Sequence, residues 1–467
     1  MGSIIGLVVG ILVLLFLIIK TKIHAFPALV IVSILVGLLS GLPTGDTLKA
    51  VAGGFGGTLG HIGIIIGFGC IMGKFLEVSG AAKRMASSVL NIVGVKRADV
   101  VLGLTGLLVS IPVFCDSGFV ILSELAKAFS RETKKSMVGL GGILGMGLYI
   151  THFLIPPTPG PLAVAGFFGV DLGMMILGGI LLSIPLFIVS IFYFRYVGQK
   201  YPDLIPDIDA DLAKASENKK KLVTNVMEKH EKGEDLENSD FFDSSDDIQL
   251  PGVAISFAPI VIPVVLILLN TVSKAIGLEG NAMNVIGLIG NPIIAVFIGL
   301  LISVYGLTGN LSKKDSIKLM ESAMASSGLI ILVTGAGGAL GNVIRVTDIG
   351  NTIAASIVNL NIPVILVPIL LGALIRIPQG SGTVAMITGG SILAPMLPTL
   401  GLNPLIAALG LCTTSMFISY PNDSYFWVVT RFSGMEVETS LKTWSIGTAI
   451  IPICGSIILI ITNAILF

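Results

Sequence analysis

Charge is scarce in this chain, and the scarcity decides its class. Asp, Glu, Lys and Arg make up 12% of 467 residues, about half of the roughly 25% carried by a soluble domain. With 54% hydrophobic residues and a mean hydropathy of +0.96, the polar surface is too small for a water-soluble fold. Net charge is zero, which by itself says nothing about partners; no nucleic-acid partner is expected. Cysteine is sparse too: Cys70, Cys115, Cys412 and Cys454 are scattered within apolar runs as small core residues. No metal-ligand spacing appears among them, so no metal site and no cofactor are expected. A basic leader is missing ahead of residues 3–19, and no small-residue cleavage site stands out. That stretch therefore reads as a first transmembrane helix rather than a signal peptide.

What is abundant is apolar sequence in runs long enough to cross a bilayer as helices. Such spans lie near 3–19, 25–42, 58–78, 98–130, 137–168 and 173–194. A second group lies near 253–271, 285–306, 322–345, 363–396, 403–432 and 444–466. The expected fold class is an all-α polytopic membrane protein. Between the groups, residues 198–250 are dense in Asp, Glu and Lys and cannot build a core. The chain thus divides into a first transmembrane repeat over 1–197, a charged linker over 198–250 and a second repeat over 251–467.

Polar clusters interrupt several spans, most clearly Ser419-Tyr-Pro-Asn-Asp-Ser-Tyr425. Pro421 removes a helix donor, and Asn422, Asp423 and Ser424 are residue types that cap a new half-helix. A helix broken inside a bilayer must satisfy its freed amides and carbonyls or expose them to a cavity. The clusters recur at a nearly constant offset. Phe153 falls on Phe417, Pro157 on Pro421 and Gly160 on Ser424 at 264 positions (417 − 153). Ser117-Gly118 falls on Ser381-Gly382 at the same offset, Ile111-Pro112 on Ile377-Pro378 at 266 (377 − 111), and Gly73 on Gly341 at 268 (341 − 73). Two structural repeats with broken helices and re-entrant hairpins are predicted.

Basic residues set the expected orientation. Lys83, Arg84, Lys96, Arg97, Arg131, Lys134 and Lys135 flank the first-half hairpin, whereas the matching loops at 348–363 and 397–403 carry no Lys or Arg. The same loops then face the cytoplasm in one half and the outside in the other, which is an inverted-topology repeat. This places the linker in the cytoplasm and both termini outside.

Paired broken helices in inverted repeats are the sequence pointer to a secondary transporter with its site near the midplane. Four clusters are expected to converge there: Asp116-Ser117-Gly118, Thr158-Pro-Gly160, Gln379-Gly-Ser381-Gly382-Thr383 and Asn422-Asp423-Ser424. Plain turns are the bland alternative, weighed against by the recurrence of the clusters inside membrane-length runs. Arg376 sits in an apolar setting where its guanidinium fork suits a carboxylate, unless it is salt-bridged within the protein. Asp423, then Asp116, then His152 are the candidate proton carriers, with His61 weaker. Sodium stays open as the coupling ion, because Asn422, Thr383 and exposed carbonyls also suit a hard cation. Two look-alikes are set aside. Gly335-Ala-Gly-Gly-Ala-Leu-Gly341 lacks the strand and acidic partner of a dinucleotide loop. Asn291-Pro292 and Asn403-Pro404 lack the alanine of water-channel half-helices.

At these clusters the chain resembles the gluconate permease (gluconate:H+ symporter) family. The matching stretches are Pro112-Val-Phe-Cys-Asp-Ser-Gly-Phe119, His152-Phe-Leu-Ile-Pro-Pro-Thr-Pro-Gly-Pro161, Gly335-Ala-Gly-Gly338, Gln379-Gly-Ser-Gly-Thr-Val-Ala385 and Asn422-Asp-Ser-Tyr-Phe-Trp427. The resemblance implies proton-coupled uptake of sugar acids or related small hydroxy or amino acids across a bacterial inner membrane. It also implies an elevator-type carrier of an ion-transporter superfamily, working as a homodimer. Thr158 stands where gluconate members often carry His, and Ser117 and Tyr425 also depart from the pattern, which keeps D-serine and other small carboxylates open. The expected function is import of a small organic anion, with a channel as the rival class. An enzyme is not expected, since no nucleophile–base pair lies at readable spacing.

Overall fold

A computed structural model describes residues 2–21, 23–94, 97–205, 250–308, 311–347 and 363–466, together with Ala355. Most of the predicted linker, most of the loop read at 348–363 and Lys96 lie outside the described residues. All regular structure among the described residues is helical. Among the described residues six helical stretches are long and apolar enough to cross a membrane, or up to eight if two bent pairs each count as one span.

The first half runs α1 (Gly2–Ile19), α2 (Ala25–Leu39), α3 (Thr44–Val78), α4 (Ala81–Val93), α5 (Ala98–Val109), α6 (Cys115–Thr133), α7 (Met137–Leu154), α8 (Pro159–Phe168) and α9 (Leu172–Lys200). The second half runs α10 (Val253–Ala275), α11 (Asn281–Ile289), α12 (Pro292–Gly306), α13 (Lys313–Val346), α14 (Leu366–Gln379), α15 (Gly382–Leu393), α16 (Leu397–Leu400), α17 (Pro404–Thr414), α18 (Ser424–Phe432), α19 (Val437–Ser440) and α20 (Ile446–Leu466). The helix breaks fall where the polar clusters predict them: between α5 and α6, α7 and α8, α14 and α15, and α17 and α18.

The basic residues Lys83 and Arg84 lie on a helix, α4, whose Ala81, Ala82, Met85, Ala86 and Val89 are buried. One expectation is corrected. The single span read at 285–306 is two helices, α11 and α12, bent by 58°. Asn291 caps the second of them, and Pro292, with no N–H to leave unpaired, opens it.

Helix pairing is the main packing device. α3 lies along α13, and they close to backbone contact: a Cβ on Gly54 would sit 2.4 Å from the Gly338 carbonyl oxygen. Within a bilayer, where lipid is as apolar as Leu, such close approach supplies the dispersion contact that holds helices together. The packing pairs come in twos. α1 packs on α2 and α10 on α12; α2 on α13 and α12 on α3; α5 on α7 and α14 on α17; α8 on α15 and α6 on α18. All of α7 except Gly139 is buried, so this helix runs through the centre and carries its polar residues to the interior.

Candidate functional site

Three helix starts meet around a cavity of about 290 Å³. It is lined by Cys115 and Asp116 at the start of α6, by Ser381, Gly382 and Thr383 at the start of α15, and by Asp423, Ser424 and Tyr425 at the start of α18. Gln379 and Gly380 from the α14–α15 break, Asn422, and Tyr149, His152 and Phe153 of α7 complete the wall. Each helix start carries first-turn amides with no acceptor inside the helix and the positive end of a helix dipole, equivalent to roughly half an elementary charge. Three of them aimed at one volume favour an anion there.

The break before α18 is held by satisfied polar groups, as the bilayer interior demands. Ile418 N–H donates to Thr448 O at 3.2 Å, and Ser419 N–H to Thr448 Oγ1 at 2.9 Å. Ser445 Oγ donates to Ser419 O at 2.5 Å, and Trp427 Nε1 to Pro421 O at 2.9 Å. Tyr420 Oη and Asn422 Nδ2 both donate to Ile377 O, which fastens this break to α14. Gly380 makes the opposing bend at φ +82°, and a Cβ there would lie 2.3 Å from Asn422 O.

Beneath the cavity, Arg376 is fully buried. Its Nη2 donates to Asp423 Oδ2 at 2.6 Å and to Tyr149 Oη at 2.9 Å, while Nε and Nη1 have no partner among the described residues. Asp423 Oδ2 also accepts from Ser419 Oγ at 2.6 Å, and Ser419 Oγ accepts from Trp444 Nε1 at 2.9 Å. Asp423 Oδ1 accepts from Tyr425 N–H at 3.2 Å and so caps α18. Tyr425 stacks on Tyr149 with centroids 5.3 Å apart and donates to Gly145 O. Asp116 is different: its Oδ1 is buried and has no partner among the described residues, and the same holds for His152 Nδ1 and Gln379 Oε1.

The structure therefore brings Asp116, His152, Gln379, Ser381, Gly382, Thr383, Asn422, Asp423 and Ser424 to one cavity. Arg376 lies behind it as the partner of Asp423. Ser117, Gly118, Thr158 and Gly160 are not on its wall. Gly118 faces Leu148, and Gly160 faces Met386 of α15, so both are points of close helix packing. Thr158 Oγ1 donates to Ile155 O at 2.7 Å, inside its own break. The departure from the gluconate pattern at position 158 thus lies off the cavity wall. Sequence reasoning missed Cys115, Tyr149, Phe153 and Tyr425 as wall residues. Tyr149 and Phe153 lie three residues before and one after His152, on one face of α7, and that spacing was the available signal. Arg345 and Glu77, matched across the repeats, do not meet: Arg345 donates to Asn342, and Glu77 pairs with Lys74.

Comparison with known proteins decides the class. The sequence signature of the GntP family permease matches residues 2–465. The chain is a member of the GntP permease family. An "Uncharacterized permease" of Haemophilus influenzae is 40% identical over 99% of this chain and 92% of its own length. A "Gluconate permease" of Pseudomonas aeruginosa is 31% identical over 99% of this chain and 96% of its own. Among solved structures, the MtrF efflux pump of Neisseria gonorrhoeae superposes with a TM-score of 0.62 at 13% identity, covering 97% of each chain. That likeness shows a shared fold. The permease is thus a multi-pass membrane transporter and not an enzyme.

Proposed function

We propose that this permease is a secondary active importer of a small organic anion of the gluconate class, driven by proton symport. The observation that carries the reading is the convergence of three helix starts on one cavity, with a buried arginine behind it. The dipole ends favour a carboxylate. Thr383, Asn422, Ser424 and Gln379 offer the hydrogen bonds that a polyhydroxy acid uses. Asp116 is the proton carrier favoured by geometry. One of its buried carboxyl oxygens has no partner among the described residues, whereas both oxygens of Asp423 are taken up by Arg376, Ser419 and the α18 cap. The paired helix contacts support inverted repeats, and an elevator movement of the broken-helix elements in a homodimer of the bacterial inner membrane, with the linker in the cytoplasm, extends the same reading.

The test is uptake into liposomes holding the purified permease, with gluconate, D-serine, glycerate and 3-hydroxybutyrate supplied in turn. Saturable gluconate accumulation driven by an inward proton gradient is expected. Accumulation that needs sodium at fixed pH would defeat the proton assignment, and preferential D-serine uptake would replace the substrate class. Flux that never exceeds the substrate's own equilibrium would indicate a channel.

A further inference from the structure

A second polar cavity lies at the other ends of α5 and α7, where they meet the end of α9; its volume is about 380 Å³. Its rim holds Asp99, Lys134, Lys135 and Arg195, and its wall is apolar, built of Leu140, Ile143, Ile191 and Phe194. Three cations to one carboxylate leave an excess of two positive charges (3 − 1). Asp99 is 5% exposed and answered twice: Arg195 donates to it from Nε, and Lys135 Nζ stands 3.7 Å away. Lys134 takes no part in the ion pairs among the described residues. It ends α6 at φ 56°, in the left-handed region where glycine would sit without strain. A lysine at that position supplies a charge at the rim that the local backbone does not ask for.

The apolar part of the cavity continues outward. Ile184, Ile188, Ile191 and Arg195 share one face of α9 by their three- and four-residue spacing. Ile184 and Ile188 are exposed, with Phe192 beside them. A basic rim over an apolar slot that opens onto the exposed apolar face of a membrane-length helix matches a molecule with a phosphate head and a hydrocarbon tail. A soluble phosphate ester would satisfy the rim alone and leave the slot unused.

We propose that this cavity binds the phosphate of an anionic phospholipid, with an acyl chain lying along α9. Native mass spectrometry of the full-length permease, purified in detergent with phosphatidylglycerol or phosphatidylcholine, tests it. Wild type is expected to retain phosphatidylglycerol in preference to phosphatidylcholine. Lys134→Gln removes an exposed side chain without breaking an ion pair, so the protein keeps its fold. It is expected to weaken phosphatidylglycerol retention about fivefold, the effect of one basic residue at an anionic surface, and Lys134→Arg to restore it. Lys83→Gln on α4 is expected to change nothing. Equal retention of the two lipids, or an equal loss in Lys83→Gln, would overturn the site. Displacement of the lipid by sn-glycerol 3-phosphate at matching concentration would overturn the lipid assignment in favour of a soluble phosphate ester.

Discussion

Arg376 reaches Asp423 across a 2.6 Å contact in a setting where both side chains are almost wholly removed from solvent. Removing one member of a buried ion pair leaves an uncompensated charge and costs about 3–5 kcal/mol, whereas removing both together is far milder. Arg376→Gln and Asp423→Asn are therefore each expected to lower stability by about that amount, and the double variant to recover most of it. Thermal unfolding in detergent checks the cycle; simple additivity of the two losses would mean that the pair is not the structural unit described. Arg376→Lys is expected to recover little, because lysine cannot serve Asp423 and Tyr149 from one planar group. Asp116 carries no such structural duty. Asp116→Asn mimics a permanently protonated carboxyl, and is expected to abolish proton-driven accumulation while keeping substrate counterflow. Accumulation that persists in Asp116→Asn would return the proton to Asp423 or His152.

The residue scale is also where the sequence was least readable. Polar residues inside apolar runs announce themselves, and eight of those singled out from the sequence lie on the cavity wall. Aromatic residues in a membrane span do not, because a Tyr or Phe there is ordinary core. Tyr149 differs from core only in that its hydroxyl meets Arg376, which lies 227 positions away. Nothing in the local sequence reports that contact.

At the scale of elements the breaks were legible because their causes are local. Proline, glycine and capping side chains act within a turn or two of themselves, so the interruptions near Pro112, Pro157, Gly380 and Pro421 could be read from neighbours. α4 and the first turns of α3 were not, since their burial comes from a single face against other helices and leaves no membrane-length apolar run. Gly380 concentrates the demands of a break in one residue. An alanine there meets the left-handed penalty of about 1–2 kcal/mol, and its Cβ presses on Asn422 O, adding overpacking of about 1–3 kcal/mol. Gly380→Ala is expected to lower stability by about 2–5 kcal/mol and to stop uptake. Gly56→Ala, on a part of α3 where a Cβ meets nothing within 4 Å, is the control. It is expected to leave stability unchanged or raise it by under about 1 kcal/mol. A Gly380→Ala protein that unfolds at the wild-type temperature would show that the two breaks are not locked against each other as described.

At the scale of the whole molecule, the question is whether the two halves face opposite sides of the membrane. The helix contacts within the two halves come in twos, and a TM-score of 0.62 to a solved structure at 13% identity shows a fold shared at low sequence identity. Sidedness depends on where the basic residues lie relative to the bilayer. A pair of reporter cysteines reads it directly. Ser216→Cys lies in the acidic linker and Thr399→Cys at an exposed position in the second half, next to the buried Leu400. The native background is low, because Cys70, Cys115 and Cys412 are buried and only Cys454 is partly accessible. In intact cells a membrane-impermeant maleimide is expected to label position 399 and to spare position 216, which reacts only after the membrane is opened. Labelling of both positions from the same side would remove the inverted repeat. The elevator reading would fall with it, since that movement needs two halves related by a two-fold axis in the membrane plane.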